Sequence, residues 1–213
     1  KNESVITSVA AAVSASVSSQ KEGDEQSPAQ SSTAVALAGG FSINVITSDT
    51  IATLENSGTT QSPMKASSVN VSATDEKSQI SGIAGGIAVG ISTPKNKESK
   101  GSSTGVAAGV SFVWNEIDQV QDAMLSNVVL DVDDSLSVAS EANAEVFGLA
   151  IAGALAVGVS SRNPTYAVAG VGSGVINKVR GGSRSRIRKS TVNANGDVIV
   201  ESDDVRSIDA RAG

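Results

Sequence analysis

Cysteine and histidine are both missing from this sequence of 213 residues. Their absence excludes disulfide bonds, thiol nucleophiles, Cys/His zinc sites and histidine acid–base catalysis. Aromatic residues are also scarce, with one Trp, one Tyr and three Phe. Because the chain lacks the large side chains that normally close-pack a globular core, its composition favours a repetitive architecture of stacked sheets.

Excess positive charge and long apolar runs are missing as well. The net charge is −6 and the sequence pI is about 4.7, which disfavours general nucleic-acid binding. The apolar stretch at residues 146–159 is shorter than the roughly 20 residues that a membrane helix needs, so we expect no transmembrane segment. No signal peptide opens the chain, so an exported protein would be represented here by a mature part or a fragment.

The most informative stretch that is present is residues 80–91. Ile83, Ile87 and Ile91 alternate with Ala84 and Ala88, which is the period-two pattern of a β-strand. The second face of this strand is small rather than polar, so we expect another segment to pack closely against it. We expect Ile, Val and Leu side chains to stack in the interior.

Three copies of one unit account for almost the whole chain. The segments at 41–46, 112–117 and 174–179 match one another and place Asn44, Asn115 and Asn177 at one repeat position. Gly/Ala-rich segments upstream also match, with Ile83 aligned to Ile151. We predict repeats at approximately 6–79, 80–145 and 146–207, with the start of a fourth at 208–213.

Length differences between the units fall in polar connections at 18–32, 92–103 and 160–165, as expected for loops between stacked strands. The sequence therefore predicts an all-β fold, a parallel β-helix or β-solenoid built of three repeats of about 62–74 residues, forming a single segment over 1–213. Each repeat would be one broad coil or several smaller ones. An antiparallel stack of hairpin repeats is the alternative fold.

The Gly/Ala-Val blocks, the Asn-x-Ile or Asn-x-Val endings and the following Val-x-Val pattern resemble repeats of very large bacterial exported proteins. These include autotransporter and filamentous-haemagglutinin-like passengers and leukotoxin-type exoproteins. The resemblance covers nearly the whole chain. It implies a parallel β-helical stalk on a cell surface or in a secreted fibre, and it supplies no catalytic residue.

Two sets of polar residues invite a structural or metal-binding interpretation. Asn44, Asn115 and Asn177 would form an asparagine ladder whose stacked amides also satisfy the backbone groups of a turn. Clustered carboxylates are candidate calcium ligands, although solvated strand edges and turns explain them better. The calcium candidates are Asp131, Asp133, Asp134, Asp203 and Asp204.

A basic stripe near the end of the third unit is the candidate binding site. Arg184, Arg186 and Arg188 share one face of a strand, with Lys189 beside them, and would suit sulfated or acidic glycans and other polyanions. Asp122 aligns with Arg184 in the preceding unit, so ion pairing between units is a competing explanation of the charge.

The sequence predicts a structural scaffold, a rigid segment of a bacterial surface or secreted fibre-like protein, located outside the cell or on its surface. The alternative is an adhesin or glycan-binding module that uses the arginine stripe or the variable loops. We expect no enzyme activity, since Asp203 and Asp204 beside Arg206 lack a supporting His or Tyr, and no cofactor. The expected partners are flanking repeats or further copies of the chain, and a glycan or host-surface ligand.

Overall fold

The computed structural model describes residues 1–19, 31–93, 101–160 and 163–213. These residues form ten β-strands and no helix. The strands are β1 (Asn2–Ser19), β2 (Ser32–Glu55), β3 (Met64–Ala66), β4 (Val69–Thr93), β5 (Ser103–Ser126), β6 (Val129–Val132), β7 (Leu136–Gly158), β8 (Thr165–Arg188), β9 (Thr191–Ala194) and β10 (Val198–Ala212).

The strands form a parallel β-solenoid, as the sequence predicts. One sheet has the order β1-β4-β7-β10, a second has β2-β5-β8 and a short third has β3-β6-β9. Every pairing between these strands is parallel, so the antiparallel hairpin alternative is wrong. Each repeat is one broad coil of two long strands and one short strand, and β10 begins a fourth coil.

Equivalent residues of successive coils lie beside one another in unbroken register over most of the stack. Ile6, Ile80, Val146 and Ile208, where the sequence repeats begin, are direct neighbours in the first sheet. The alignment of Ile83 with Ile151 is wrong by two residues, because Ile83 pairs with Leu149. A shift of two residues leaves every side chain on the same face of the strand, so the alternating sequence pattern alone does not reveal the error.

Half of each coil is a thin sandwich of two sheets, which we call the two-sheet part. Its interior contains mostly small side chains, including a buried cluster of Ala36, Ala88 and Ala107, and Val113 is buried at the end nearest the rest of the coil. A Cβ on Gly109 would lie 2.3 Å from the carbonyl oxygen of Gly153, so the facing backbones are nearly in contact. The two-sheet part consists of residues 9–19, 32–43, 82–93, 103–114, 148–158 and 165–176.

The expected interior of stacked Ile and Val is wrong for most of this part of the molecule, with Val113 as the buried exception. The β-branched face points outward, so Ile87 is 52% exposed while its neighbour Ala88 is fully buried. Small side chains allow the sheets to approach closely and thereby exclude the larger ones from the interior.

The remaining described residues form the three-sheet part, where the short third sheet turns the cross-section into a triangle. Here the interior has large aliphatic side chains, with Leu125, Leu130 and Leu136 fully buried in one cluster. A second buried layer of Ile46, Ile80, Ile117, Ala144 and Val146 lies between this cluster and the two-sheet part. The Ile, Val and Leu interior expected from the sequence is therefore correct in this half.

Candidate functional site

A ladder of asparagine side chains runs through the interior of the three coils. The Asn44 side-chain amide donates to the Oδ1 of Asn115 at 2.8 Å, and the Asn115 amide donates to the Oδ1 of Asn177 at 2.9 Å. The ladder also bridges the two sheets, since Asn115 donates to the carbonyl oxygen of Phe147 and Asn177 to that of Asp209. Each bond is buried or partly buried, which makes its loss expensive.

Two glycines on the facing sheet make room for this ladder. A Cβ on Gly82 would lie 2.6 Å from the Oδ1 of Asn115, and one on Gly148 would lie 2.9 Å from the Oδ1 of Asn177. Gly82 and Gly148 are neighbours in register. The ladder is therefore a feature of both sheets, and its amides are enclosed by protein rather than presented to a ligand.

The ladder lies in the middle of the long strands and not at the turn that the sequence predicts. A second pair of asparagines, which the sequence reasoning missed, occupies the turns after β2 and β5. Asn56 and Asn127 have φ angles of 54° and 53°, and the Asn127 amide donates to the Oδ1 of Asn56 at 2.7 Å. Lys189 holds the same corner in the third coil, with φ of 47°.

The corner asparagines have a signal in the sequence. Each follows the inward-facing Leu54 or Leu125 by two residues, and asparagine tolerates the left-handed conformation better than most residues. Lys189 breaks the pattern in the third copy, which hides the position. The sequence predicts that Lys189 belongs to the basic stripe, but it lies at this corner, after the end of β8.

A polar layer crosses the interior of the second coil beside the asparagine ladder. Gln119 and Gln121 are fully buried, and none of their four side-chain amide atoms has a hydrogen-bond partner in the protein. Asp75, also fully buried, accepts hydrogen bonds from Ser78 and Asn2. The two glutamines share the inward face with Asn115, which is the signal that sequence analysis could have used.

The basic stripe lies on the outer face of β8, as the alternation predicts, and it is partly engaged within the stack. Arg184 is the register neighbour of Asp122, and Arg186 forms an ion pair with that carboxylate. Arg184 and Arg188 are exposed. The stripe therefore offers two open guanidinium groups and one that binds the coil below.

The calcium candidates do not come together. Asp131, Asp133 and Asp134 lie on β6 and the corner after it, while Asp203 and Asp204 lie on β10. Among the described residues, no group of three or more carboxylates is placed to hold a metal ion.

Asp203 and Asp204 project to opposite faces of β10, so they are not directed at one substrate. Asp204 accepts two hydrogen bonds from Arg206, and these bonds raise the pKa of the Arg206 guanidinium. Arg206 also donates to the carbonyl oxygen of Gly181 at 2.8 Å. This pair is a structural link between the sheets at the top of the stack.

The variable loops lie mostly outside the described residues, which omit 20–30, 94–100 and 161–162. At their base, buried serines join the strands: the hydroxyls of Ser32 and Ser92 lie 2.6 Å apart, and those of Ser92 and Ser103 lie 2.9 Å apart.

Among the described residues, there is no helix that is long and apolar enough to cross a membrane. No protein-family model matches the chain, and neither a curated protein nor a solved structure is found to match it.

Proposed function

We propose that the chain is a structural scaffold, a rigid β-solenoid segment of a bacterial surface or secreted fibre-like protein. The observation that carries this proposal is the open end of the stack at β10. Inward-facing Val200 is 46% exposed, whereas its neighbour one coil below, Val138, is fully buried. Ile208 is likewise exposed above the buried Val146. A further coil would bury these side chains.

Stacking on this end is favourable for two physical reasons. Burial of each aliphatic side chain contributes ~1.5–3 kcal/mol, and the edge strand β10 offers backbone groups that another strand can pair. Repeat proteins gain their stability from such contacts between neighbouring units. The expected occupant is a flanking repeat of a longer chain or another copy that extends the stack into a fibre.

Two features of the sequence support the proposed extracellular location. Its Gly/Ala-Val blocks and Asn-x-Ile endings resemble the repeats of exported bacterial proteins. Complete absence of cysteine suits a long secreted chain that must avoid mispaired disulfides.

Two neighbouring residues of β10 provide a matched test. Val200 and Ile199 are 46% and 45% exposed, but Val200 faces inward and Ile199 faces outward. We expect the wild-type chain to form rods of constant width that lengthen with concentration, as seen by sedimentation velocity and electron microscopy. Val200→Lys would stop this growth, because the ammonium would be buried under the next coil, whereas Ile199→Lys would permit it.

A wild-type chain that stays a compact single particle at all concentrations would contradict the proposal. So would rods whose growth responds equally to both lysine substitutions. Under either result the open end would not be the surface on which stacking occurs.

Polyanion binding is the second candidate function, favoured by the exposure of Arg184 and Arg188 on one outer face. A sulfated glycan would contact both guanidinium groups. We expect Arg184→Ser with Arg188→Ser to lower the affinity for heparin by about tenfold and to weaken its salt dependence. Arg180→Ser is the control, since Arg180 is paired with Glu116 at 3.0 Å. Unchanged heparin binding in the double variant would exclude the stripe.

A further inference from the structure

The two-sheet part is apolar on both of its outer faces. On the face formed by β2, β5 and β8, Leu37 is 66% exposed and Ile43 is 72% exposed. On the opposite face, Val13 is 77% exposed and Leu155 is 55% exposed. Isolated exposed hydrophobic residues are ordinary, but contiguous patches that extend over three coils indicate an interaction surface.

In the second and third coils, the apolar band ends at the same level on both faces. On one face it stops where Glu116 and Lys178 lie side by side, and on the other where Gln79 pairs with Glu145. In the first coil, Val45 and Val5 extend the band by one outward position on each face. A partner that covered one face would not explain an equal boundary on the other. The arrangement fits an apolar environment that covers both outer faces of the two-sheet part.

Aromatic residues mark the limits of this band. All five aromatic side chains of the chain lie on the outer faces, and the amphipathic ones lie at opposite ends of the band. Tyr166 occupies the first outward-facing position of β8, beside Thr104. Trp114 occupies the last apolar outward position of β5 before Glu116, where its indole N–H donates to the Glu116 carboxylate and Lys178 lies 4.0 Å above its ring.

The distance between these two positions matches the hydrocarbon core of a bilayer. Thr104, the neighbour of Tyr166, and Trp114 are ten residues apart on β5. Ten residues of extended strand span about 33 Å, and the hydrocarbon core is about 30 Å thick. Tyr and Trp are enriched at the two boundaries between hydrocarbon and water, with Lys commonly beyond them.

The interior of the two-sheet part also follows the packing of proteins in lipid. Small residues face inward and allow close backbone contact, while large aliphatic residues face outward, as on membrane-embedded surfaces. A Cβ on Gly86 would lie 2.6 Å from the carbonyl oxygen of Val110, which shows how closely the sheets approach. In water, burial of the isoleucines in place of the alanines would be favoured.

We propose that the two-sheet part inserts into a lipid bilayer, with its strands crossing the hydrocarbon core and the three-sheet part remaining in water. This proposal rests on the scaffold function in one respect. Edge strands are not stable in hydrocarbon, so coils stacked above and below must pair the open edges. A second copy docked face to face is the alternative occupant, and it leaves the outer faces of the pair uncovered.

Trp114 is the only tryptophan and reports insertion directly. On mixing the wild-type chain with phosphatidylcholine vesicles, we expect flotation with the vesicles and a blue shift of its emission. Lipids brominated near the glycerol end of the acyl chain would quench it more than lipids brominated near the methyl end, since Trp114 lies at the band limit. Binding would persist in high salt.

A matched pair of variants tests the location of the band. Leu37 and Ile51 both lie on β2, both face outward and both are 66% exposed, but only Leu37 lies within the band. We expect Leu37→Lys to lower the vesicle partition constant by at least about thirtyfold, and Ile51→Lys to leave it within about threefold. Both variants should keep the wild-type circular dichroism, because both side chains project outward.

Absence of vesicle binding, equal effects of the two substitutions, or binding that disappears in high salt would overturn the proposal. Lateral oligomers that form without vesicles and disappear in Leu37→Lys would assign the band to a second copy instead. Failure of the scaffold proposal is recognised separately, since end-to-end growth depends on Val200 and not on Leu37.

Discussion

The two-sheet and three-sheet parts belong to the same coils but are built on opposite hydrophobic patterns. In the three-sheet part, Leu125 and Leu136 are buried and most charged residues face outward, with the buried Asp75 as an exception. In the two-sheet part, Ala36 and Ala88 are buried while Val13 and Leu37 face outward. The comparison teaches that alternation determines the strands and their stacking, whereas the third sheet determines whether the interior is wide enough for large side chains.

Truncation of a buried side chain in the three-sheet interior should have the largest effect on stability. Leu125→Ala would remove a fully buried side chain of the central coil and leave a cavity, lowering the free energy of unfolding by about 2–5 kcal/mol. Ile87→Ala in the two-sheet part would change it by less than about 0.5 kcal/mol in water. Urea unfolding followed by circular dichroism measures both. Equal losses would mean that the two parts bury aliphatic side chains alike.

Enlargement should have the next largest effect, this time in the two-sheet part. Gly109→Val would force the facing strands apart and destabilise the protein by about 1–3 kcal/mol, since its Cβ would lie 2.3 Å from a backbone carbonyl oxygen. Gly172→Val is the control, because a Cβ there meets no atom within 4 Å. The same unfolding measurement applies. A stable Gly109→Val variant would show that the sheets are not in close contact.

The asparagine ladder joins the two parts, and its central member should be the most sensitive. Asn115→Ala would leave Asn44 without its acceptor and Asn177 without its donor, at a cost of about 1–3 kcal/mol. Asn143→Ala is the control, because Asn143 lies on the outer, half-buried face of β7. Thermal unfolding of both variants distinguishes them. Similar melting temperatures would show that the ladder contributes nothing.

The smallest effect, and the only stabilising one, is expected at the corner. Lys189→Asn would extend the stacked pair Asn56–Asn127 to the third coil and place a better residue in a left-handed conformation. We expect a gain of about 0.5–1 kcal/mol, in the range known for relief of backbone restrictions. Lys65→Asn, on the exposed side of β3, is the control. Loss of stability in Lys189→Asn would argue against a corner ladder.

The stacking of the repeats could be predicted from the sequence because identical residue types recur in one column. Asn44, Asn115 and Asn177 are direct register neighbours, as their shared pattern indicates. Loops absorb the length differences, so the alignment survives them. The two-residue error at Ile151 arose where every second residue is small or aliphatic and no distinctive side chain fixes the column.

Which face of each strand points into the interior could not be predicted in the same way. Period-two alternation separates Ile87 from Ala88 but does not state which one is inside. That choice depends on the distance between the sheets, which is a tertiary property. The burial of Gln119 and Gln121 could not be predicted for the same reason, although both share a face with Ile117.

The most direct test of this account is the reactivity of two adjacent positions in a chain that has no native cysteine. Single variants Ile87→Cys and Ala88→Cys would be exposed to a water-soluble maleimide under native conditions, and their labelling rates compared with those in urea. The account predicts rapid labelling of Ile87→Cys and strong protection of Ala88→Cys, whose parent residues are 52% and 0% exposed. Protection at position 87 with rapid labelling at position 88 would contradict it.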